Sequence, residues 1–196
     1  PPKVPFGELM RGHWREVLGG TFAAVACFAI FYLATAFALG YGTTKLGMAR
    51  EAFLGLQLFA ILFLAAGIIV SGFAADRYGA GNVLMAGCGL TVLVALTIVP
   101  TLGSGEPPMV ALFLSMALFA MGLTYGPLGA WLPSLFPARV RYSGASVAFN
   151  MAGLLGGGLA PLIAQRLSDS AGLGAVGAYL ALCSGLSLVG LLALRA

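Results

Sequence analysis

The polar positions of this chain punctuate it rather than alternate along it. Between charged residues lie stretches such as "LFAILFLAAGIIV" (58–70), in which every residue is apolar or glycine. Six charge-free windows result: 17–44, 52–75, 78–105, 107–138, 142–165 and 170–194. Each exceeds the roughly 20 residues that a helix rising about 1.5 Å per residue needs to cross a hydrocarbon core of about 30 Å. The windows predict six transmembrane helices at 17–43, 52–74, 82–102, 108–132, 142–165 and 172–194. A membrane barrel would place polar residues at every second position, and none of these stretches does so. The connections around 103–108 and 168–174 are turns and leave no room for an extramembrane domain.

Composition sharpens the class. Of 196 residues 60% are hydrophobic and only 8% charged, against about 25% charged in soluble domains. Such a chain cannot cover a globule with polar surface, whereas lipid accepts apolar side chains all round a helix. Lys3, Arg11, Arg15, Arg77, Arg139, Arg141 and Arg195 fall on one side of the predicted spans, and Lys45, Arg50 and Arg166 on the other. Basic residues are retained in the cytoplasm, so both termini are expected there. The net charge of +4 therefore reads as a topology signal spread over several loops, and no nucleic-acid partner is expected. The opening "PPKVPFGELMRGHWREV" lacks the apolar core and cleavage site of a signal peptide. It reads as a cytoplasmic linker over 1–16, with Phe6, Leu9 and Trp14 along the inner surface, leading into the helical bundle of 17–196. The chain is expected to be a piece of a longer protein.

Glycine numbers 29 residues and is arranged in register. At 100° per residue, Ser143, Ser146, Asn150, Gly153, Gly157 and Pro161 share one face of the fifth helix, while Met151, Leu155, Leu159 and Leu162 lie opposite, toward lipid. In the fourth, Gly122, Gly126 and Gly129 line up with Pro127 between them. Small residues let helix backbones meet closely in a bilayer, and static packing explains any one of them. A polar Asn150 in such a stripe points to a partner or a water-filled cavity.

Catalytic chemistry is poorly supplied. The only histidine, His13, precedes the first helix, so neither a Ser-His dyad nor an HExxH site can form among the helices. Cys27, Cys88 and Cys183 sit in three different helices without a CxxC, and read as small buried hydrophobes. An intramembrane hydrolase at Ser143 or Ser146 would lack its base. No enzyme, metal or cofactor is implied.

Two segments carry a family resemblance. "GFAADRYGAGNV" (72–83) contains Gly72, Asp76, Arg77 and Gly79 in G-x-x-x-D-R-x-G spacing at the end of the second helix. This resembles the loop between helices two and three in each half of the major facilitator superfamily. "YGPLGAWLPSLFPARVRYSGAS" (125–146), followed by "GLLGGGLAPLIA" (153–164), resembles the junction of helices four and five in the second half of sugar-porter-like members. It is most similar to the metabolite:proton symporter branch that carries shikimate, citrate, 2-oxoglutarate, proline or betaine. "FYLATAFALGYGTTKLG" in the first helix agrees with it. Two positions depart from the pattern: Ala80 and Gly81 replace basic residues, and Ser134 replaces a Glu that would pair with Arg139.

The resemblance implies an all-α membrane protein, the C-terminal six helices of a twelve-helix fold, built as 3+3 inverted repeats. Its partners would be the lipid bilayer, the N-terminal half of the same transporter, a small polar solute and protons, in a bacterial inner membrane. It also implies a cytoplasmic gating set of Gly72, Asp76, Arg77, Gly79, Arg139 and Arg141, with the glycines giving a tight turn and close helix contact. Pro133 and Pro137 are expected to end the fourth helix at the membrane surface. Cavity-facing candidates are Tyr32, Thr35, Gln57, Tyr125, Trp131 and Asn150, whose hydrogen-bonding groups suit a hydroxylated or carboxylated solute. The spans hold no carboxylate, so proton-driven symport would need its titrating residue in the other half. A self-contained six-helix channel or half-transporter acting as a homodimer is the competing reading.

Overall fold

The computed structural model describes residues 6–194. A short helix α1 (Phe6–Gly12) leads into six spans: α2 (Trp14–Thr44), α3 (Arg50–Tyr78), α4 (Ala80–Ser104), α5 (Pro107–Ser134), α6 (Arg141–Ala171) and α7 (Leu173–Ala193). There is no strand among the described residues. Each span coincides with a predicted one, and most run a few residues further at both ends. The predicted bounds followed the charges, but helices project past the hydrocarbon into the headgroup layer, where Asp76 and Arg77 are solvated within the last turn of α3.

Two links consist of one residue. Gly79 joins α3 to α4 at φ 85°, and Gly172 joins α6 to α7 at φ 82°. Only glycine takes that backbone region without a Cβ penalty, which is why the chain reverses so sharply there. The α5–α6 junction uses proline instead. The helix continues through Pro127 and Pro133 and stops at Ser134, one residue past the second ring. Pro137 lies in the turn, its carbonyl accepting from the Val140 N–H at 3.0 Å. Pro133 thus removes a hydrogen bond only from the last turn, where water can replace it.

The packing repeats itself. α3 lies against α5 as α6 lies against α2, α4 against α5 as α7 against α2, and α2–α5 and α4–α7 close the pattern. Exchanging α2, α3, α4 with α5, α6, α7 therefore maps the bundle onto itself. Successive spans alternate in direction, so an exchange by three reverses each helix, which makes this a pair of inverted three-helix repeats.

Glycines sit at the matching crossings. A Cβ on Gly122 of α5 would stand 2.6 Å from the Leu64 carbonyl and 2.8 Å from the Ile68 nitrogen of α3. Gly67 of α3 lies on the Phe119 carbonyl of α5, and Gly156 of α6 lies correspondingly on the Val25 carbonyl of α2. Gly87 of α4 meets α5 at the Thr124 nitrogen, and Gly190 of α7 meets α2 at the Ala23 nitrogen and Gly19 carbonyl. Hydroxyls reinforce these contacts. Ser187 Oγ donates to the Phe22 carbonyl at 2.7 Å and accepts from the Ala26 N–H at 2.9 Å, bridging the two ends of one rung of α2. Ser184 Oγ donates to the Cys88 carbonyl at 2.7 Å.

The chain before the first span is not detached. Leu9 is buried with Val17, Phe136 and Val140, so α1 packs beneath the α5–α6 turn. Trp14 is half exposed, and the side chain of Phe6 lies outside those described.

Gly122→Leu should prevent α3 and α5 from closing, because the atoms it meets are backbone. Overpacking of this kind costs about 1–3 kcal/mol or more. Thermal unfolding followed by size-exclusion in detergent should show a lower midpoint and aggregated protein, while Gly55→Leu, with nothing within 4 Å of its added Cβ, should be tolerated.

Candidate functional site

Two spans are interrupted within their length by π-helical turns. α2 contains a π-helical turn at Leu33–Phe37, and α6 contains one at Gly153–Gly158. Such turns interrupt long helices most often at functional sites. Here they adjoin: the Tyr32 ring lies where a Cβ on Gly157 would stand, 2.7 Å from its Cε2.

Three hollows that share lining residues open along this side of the bundle. One of about 580 Å³ lies between α5 and α6, and includes Gly129, Arg141, Tyr142, Ser146 and Asn150 in its lining. A second of about 410 Å³ is bounded by Phe28 and Tyr32 of α2 and by Asn150, Gly153 and Leu154 of α6. A third of about 200 Å³ is bounded by Ile68, Tyr125, Gly126 and Gly129. Phe149 borders all three, its ring edge-on to Phe28 at 5.0 Å.

Of the six residues predicted to face a cavity, the structure brings three together here. Tyr32 is 39% exposed and Tyr125 43%, and Asn150 is exposed between two hollows. Asn150 Nδ2 donates to the Ser146 carbonyl at 2.8 Å, leaving Oδ1 as an acceptor for a solute.

The other three are engaged elsewhere. Thr35 is half-buried, its hydroxyl donating back to the Phe31 carbonyl at 2.7 Å. Trp131 is half-buried against the first turn of α4, its Nε1 3.4 Å from where a Cβ on Gly81 would stand. Gln57 directs its amide into α2, with Nε2 donating to the Ala34 carbonyl at 3.0 Å and the Thr35 carbonyl at 2.8 Å. Polar side chains in a span satisfy backbone groups first when those are within reach, and spacing alone does not tell a carbonyl from a cavity.

The polar stripe predicted on the fifth helix holds as far as Gly153, which borders the second hollow with Asn150. The π-turn adds a residue and shifts the phase, so Gly157 is buried against Tyr32 instead of continuing the face of Ser146 and Asn150. The packed face of α6 is Gly144, Ala148, Ala152, Gly156, Ala160 and Ala164. Leu154, exposed at 59%, joins Met151, Leu159 and Leu162 on the open side, whereas Leu155 is half-buried.

In the predicted gating set, Gly79 forms its turn, but Gly72 has nothing within 4 Å of a would-be Cβ, so it makes no close helix contact within this chain. Asp76 and Arg77 are exposed, and Arg77 stacks over Tyr78 with its guanidinium carbon 5.5 Å from the ring centroid. Arg139 is exposed, while Arg141 Nε donates to the Phe136 carbonyl at 3.2 Å, in the turn that follows α5. Ser134, which replaces the family Glu, donates to the Trp131 carbonyl at 2.6 Å.

Sequence reasoning missed an ion pair at the opposite end of the bundle. Lys45 Nζ lies 2.9 Å from Asp169 Oδ1, and Gln165 Nε2 donates to Asp169 Oδ2 at 3.1 Å. The hydrogen bond and charge of Asp169 hold the Lys45 ammonium above its ordinary range. The Gln165–Asp169 spacing of i,i+4 was visible in the sequence; the reach of Lys45 was not. Among the described lining residues of the three hollows, Arg141 carries the charge, and no carboxylate faces them.

The model of the Major Facilitator Superfamily matches residues 1–161. The chain is 41% identical over 195 residues to the inner membrane metabolite transport protein YhjE of Escherichia coli, covering 97% of this chain and 44% of that protein. It is 31% identical to the shikimate transporter of the same organism, over 69% of this chain and 31% of the relative. To the citrate-proton symporter of Klebsiella pneumoniae it is 29% identical, over 82% of this chain and 36% of the relative. The chain thus spans less than half the length of the curated relatives it matches. No solved structure matches it.

Cysteine replacing Asn150 or Tyr125 should react readily with a water-soluble maleimide, and cysteine replacing Gln57 slowly. Labelling rates in open membranes check this, against a low background because Cys27, Cys88 and Cys183 are buried. Equal rates at all three positions would disprove the assignment of the wall.

Proposed function

Because this chain belongs to the Major Facilitator Superfamily, we propose that it forms the C-terminal half of a transporter that moves a small polar metabolite across the bacterial inner membrane, with both termini cytoplasmic. The observation that carries this reading is the hollow side of the bundle, where Tyr32, Tyr125 and Asn150 converge from three spans. In folds of this kind two six-helix bundles rock about a midplane site. One bundle supplies one wall.

The wall offers two phenols, one amide oxygen and, toward the basic end, the guanidinium of Arg141. That set favours a solute with hydroxyl or carboxylate groups, and the names of the shikimate and citrate relatives support an organic acid. Proton coupling is supported by the names of the citrate-proton symporter relatives. Glu51, Asp76, Glu106 and Asp169 all stand at span ends, so a proton carried with the solute would be held by the other half. The exposed α3 and α6, the least buried spans, occupy equivalent places in the two repeats and present the natural surface for that half.

Uptake of organic acids into proteoliposomes tests this reading. The full-length transporter should accumulate solute and the 196-residue chain alone should not; uptake by the short chain would favour a self-contained homodimer. Asn150→Leu in the full-length protein should abolish uptake while membrane insertion, measured by immunoblot, stays normal, because it removes a polar wall group and raises hydrophobicity.

A further inference from the structure

A π-turn bonds i to i+5, so within an otherwise α-helical span it leaves a carbonyl without its usual N–H partner. In lipid such a group must find another donor, since water is absent. In α2 that donor comes from a different helix. Gln57 is the one polar side chain of α3 between Glu51 and Ser71, and its Nε2 reaches the Ala34 carbonyl, whose α-helical donor, the Ala38 N–H, is bonded instead to the Leu33 and Thr35 carbonyls, as well as the Thr35 carbonyl itself. The opposite flank of the turn is covered by α6, whose Ala160–Ala171 segment packs on it. Tyr32, the last residue before the turn, is held against Gly157.

The turn sets a rotational phase. One added residue displaces everything beyond it by about 100° relative to an unbroken α-helix. Beyond it lie Ala38–Thr44 and then Lys45, which meets Asp169 only in the present phase. We propose that Gln57 is a positioning residue for transport: by satisfying the π-turn carbonyls it fixes the phase of the outer segment of α2, and with it the Lys45–Asp169 contact, relative to the cavity face at Tyr32. Without the amide, the turn relaxes to an α-helix, Thr44 moves to the place of Lys45, and Thr43 moves to the place of Thr44.

This rests on the transport reading for its purpose, but its test does not need transport. In the full-length chain in open membrane fragments, Thr43→Cys and Thr44→Cys are labelled with a water-soluble maleimide. Thr44 is exposed and Thr43 half-buried, so with Gln57 present position 44 should react faster. In the Gln57→Met background, which keeps a similar length and removes the donors, position 43 takes the exposed place of 44 and position 44 the exposed place of Lys45, so the two rates should become comparable and solute uptake should fall. Gln57→Leu should give the same rise at position 43, which makes the result independent of one replacement's packing. An unchanged excess of labelling at position 44 in both backgrounds overturns the proposal, whether the membrane content of the protein stays the same or drops, since a drop with the old excess would mean that Gln57 only stabilises the bundle. Equalised rates without measurable uptake in the unaltered protein would leave the positioning role standing and overturn the transport reading.

Discussion

Where α3 crosses α5 and α6 crosses α2, a glycine on one helix lies directly on the backbone of the other. Lipid is as apolar as leucine, so these helices gain nothing by hiding apolar side chains from it. What holds them is dispersion between closely fitted backbones, together with hydroxyl bonds such as those from Ser184 and Ser187. The same contact occurs at equivalent places in the two repeats, and it fixes both the separation of the spans and the inverted arrangement. The one-residue links at Gly79 and Gly172 extend that correspondence to the loops. The hollow side follows from this: helices that pack this tightly on one face leave the bulky and polar residues of α2, α5 and α6 together on the other.

A second constraint acts within the spans, where every buried polar group must find a partner inside the protein. Thr21, Thr35, Thr91 and Thr124 all return their hydroxyls to carbonyls of their own helix. Gln57 bonds two carbonyls of a neighbour. Such residues look, by type and position, like solute ligands, yet their donors are already used. Asn150 also donates to its own helix, at the Ser146 carbonyl, but it borders two hollows with Oδ1 still available as an acceptor.

Charge is confined to the ends of the spans. At one end Arg141 ties down the α5–α6 turn at the Phe136 carbonyl and borders the largest of the three hollows, and Arg77 lies over an aromatic ring. At the other, Lys45 and Asp169 tie the ends of α2 and α6 together. Both of those helices are broken by π-turns closer to the middle of the membrane. The pair that carries the ion contact is thus the pair with a built-in interruption, so the geometry of the ends depends on the phase of the turns.

The spacing of charges by itself determined the class, the number of spans and their places along the chain, since a bilayer has one thickness and a helix one rise per residue. The residue order around Gly72–Gly79 and Pro133–Arg141 determined the family. Tyr32, Tyr125 and Asn150 were legible as polar groups within the spans, but so were Thr35, Gln57 and Trp131, and the sequence did not tell the two sets apart. The rest was decided by tertiary structure. A projection at 100° per residue assumes an unbroken α-helix, so it misplaced Gly157 beyond the Gly153–Gly158 turn, and it had no means of assigning Gln57 to the carbonyls of another span. The approach of Lys45 to Asp169, 124 positions further along the chain, likewise depends on how α2 and α6 pack. Local sequence sets what each helix can offer; which of those groups remain free for a solute is set by the neighbours that reach them first.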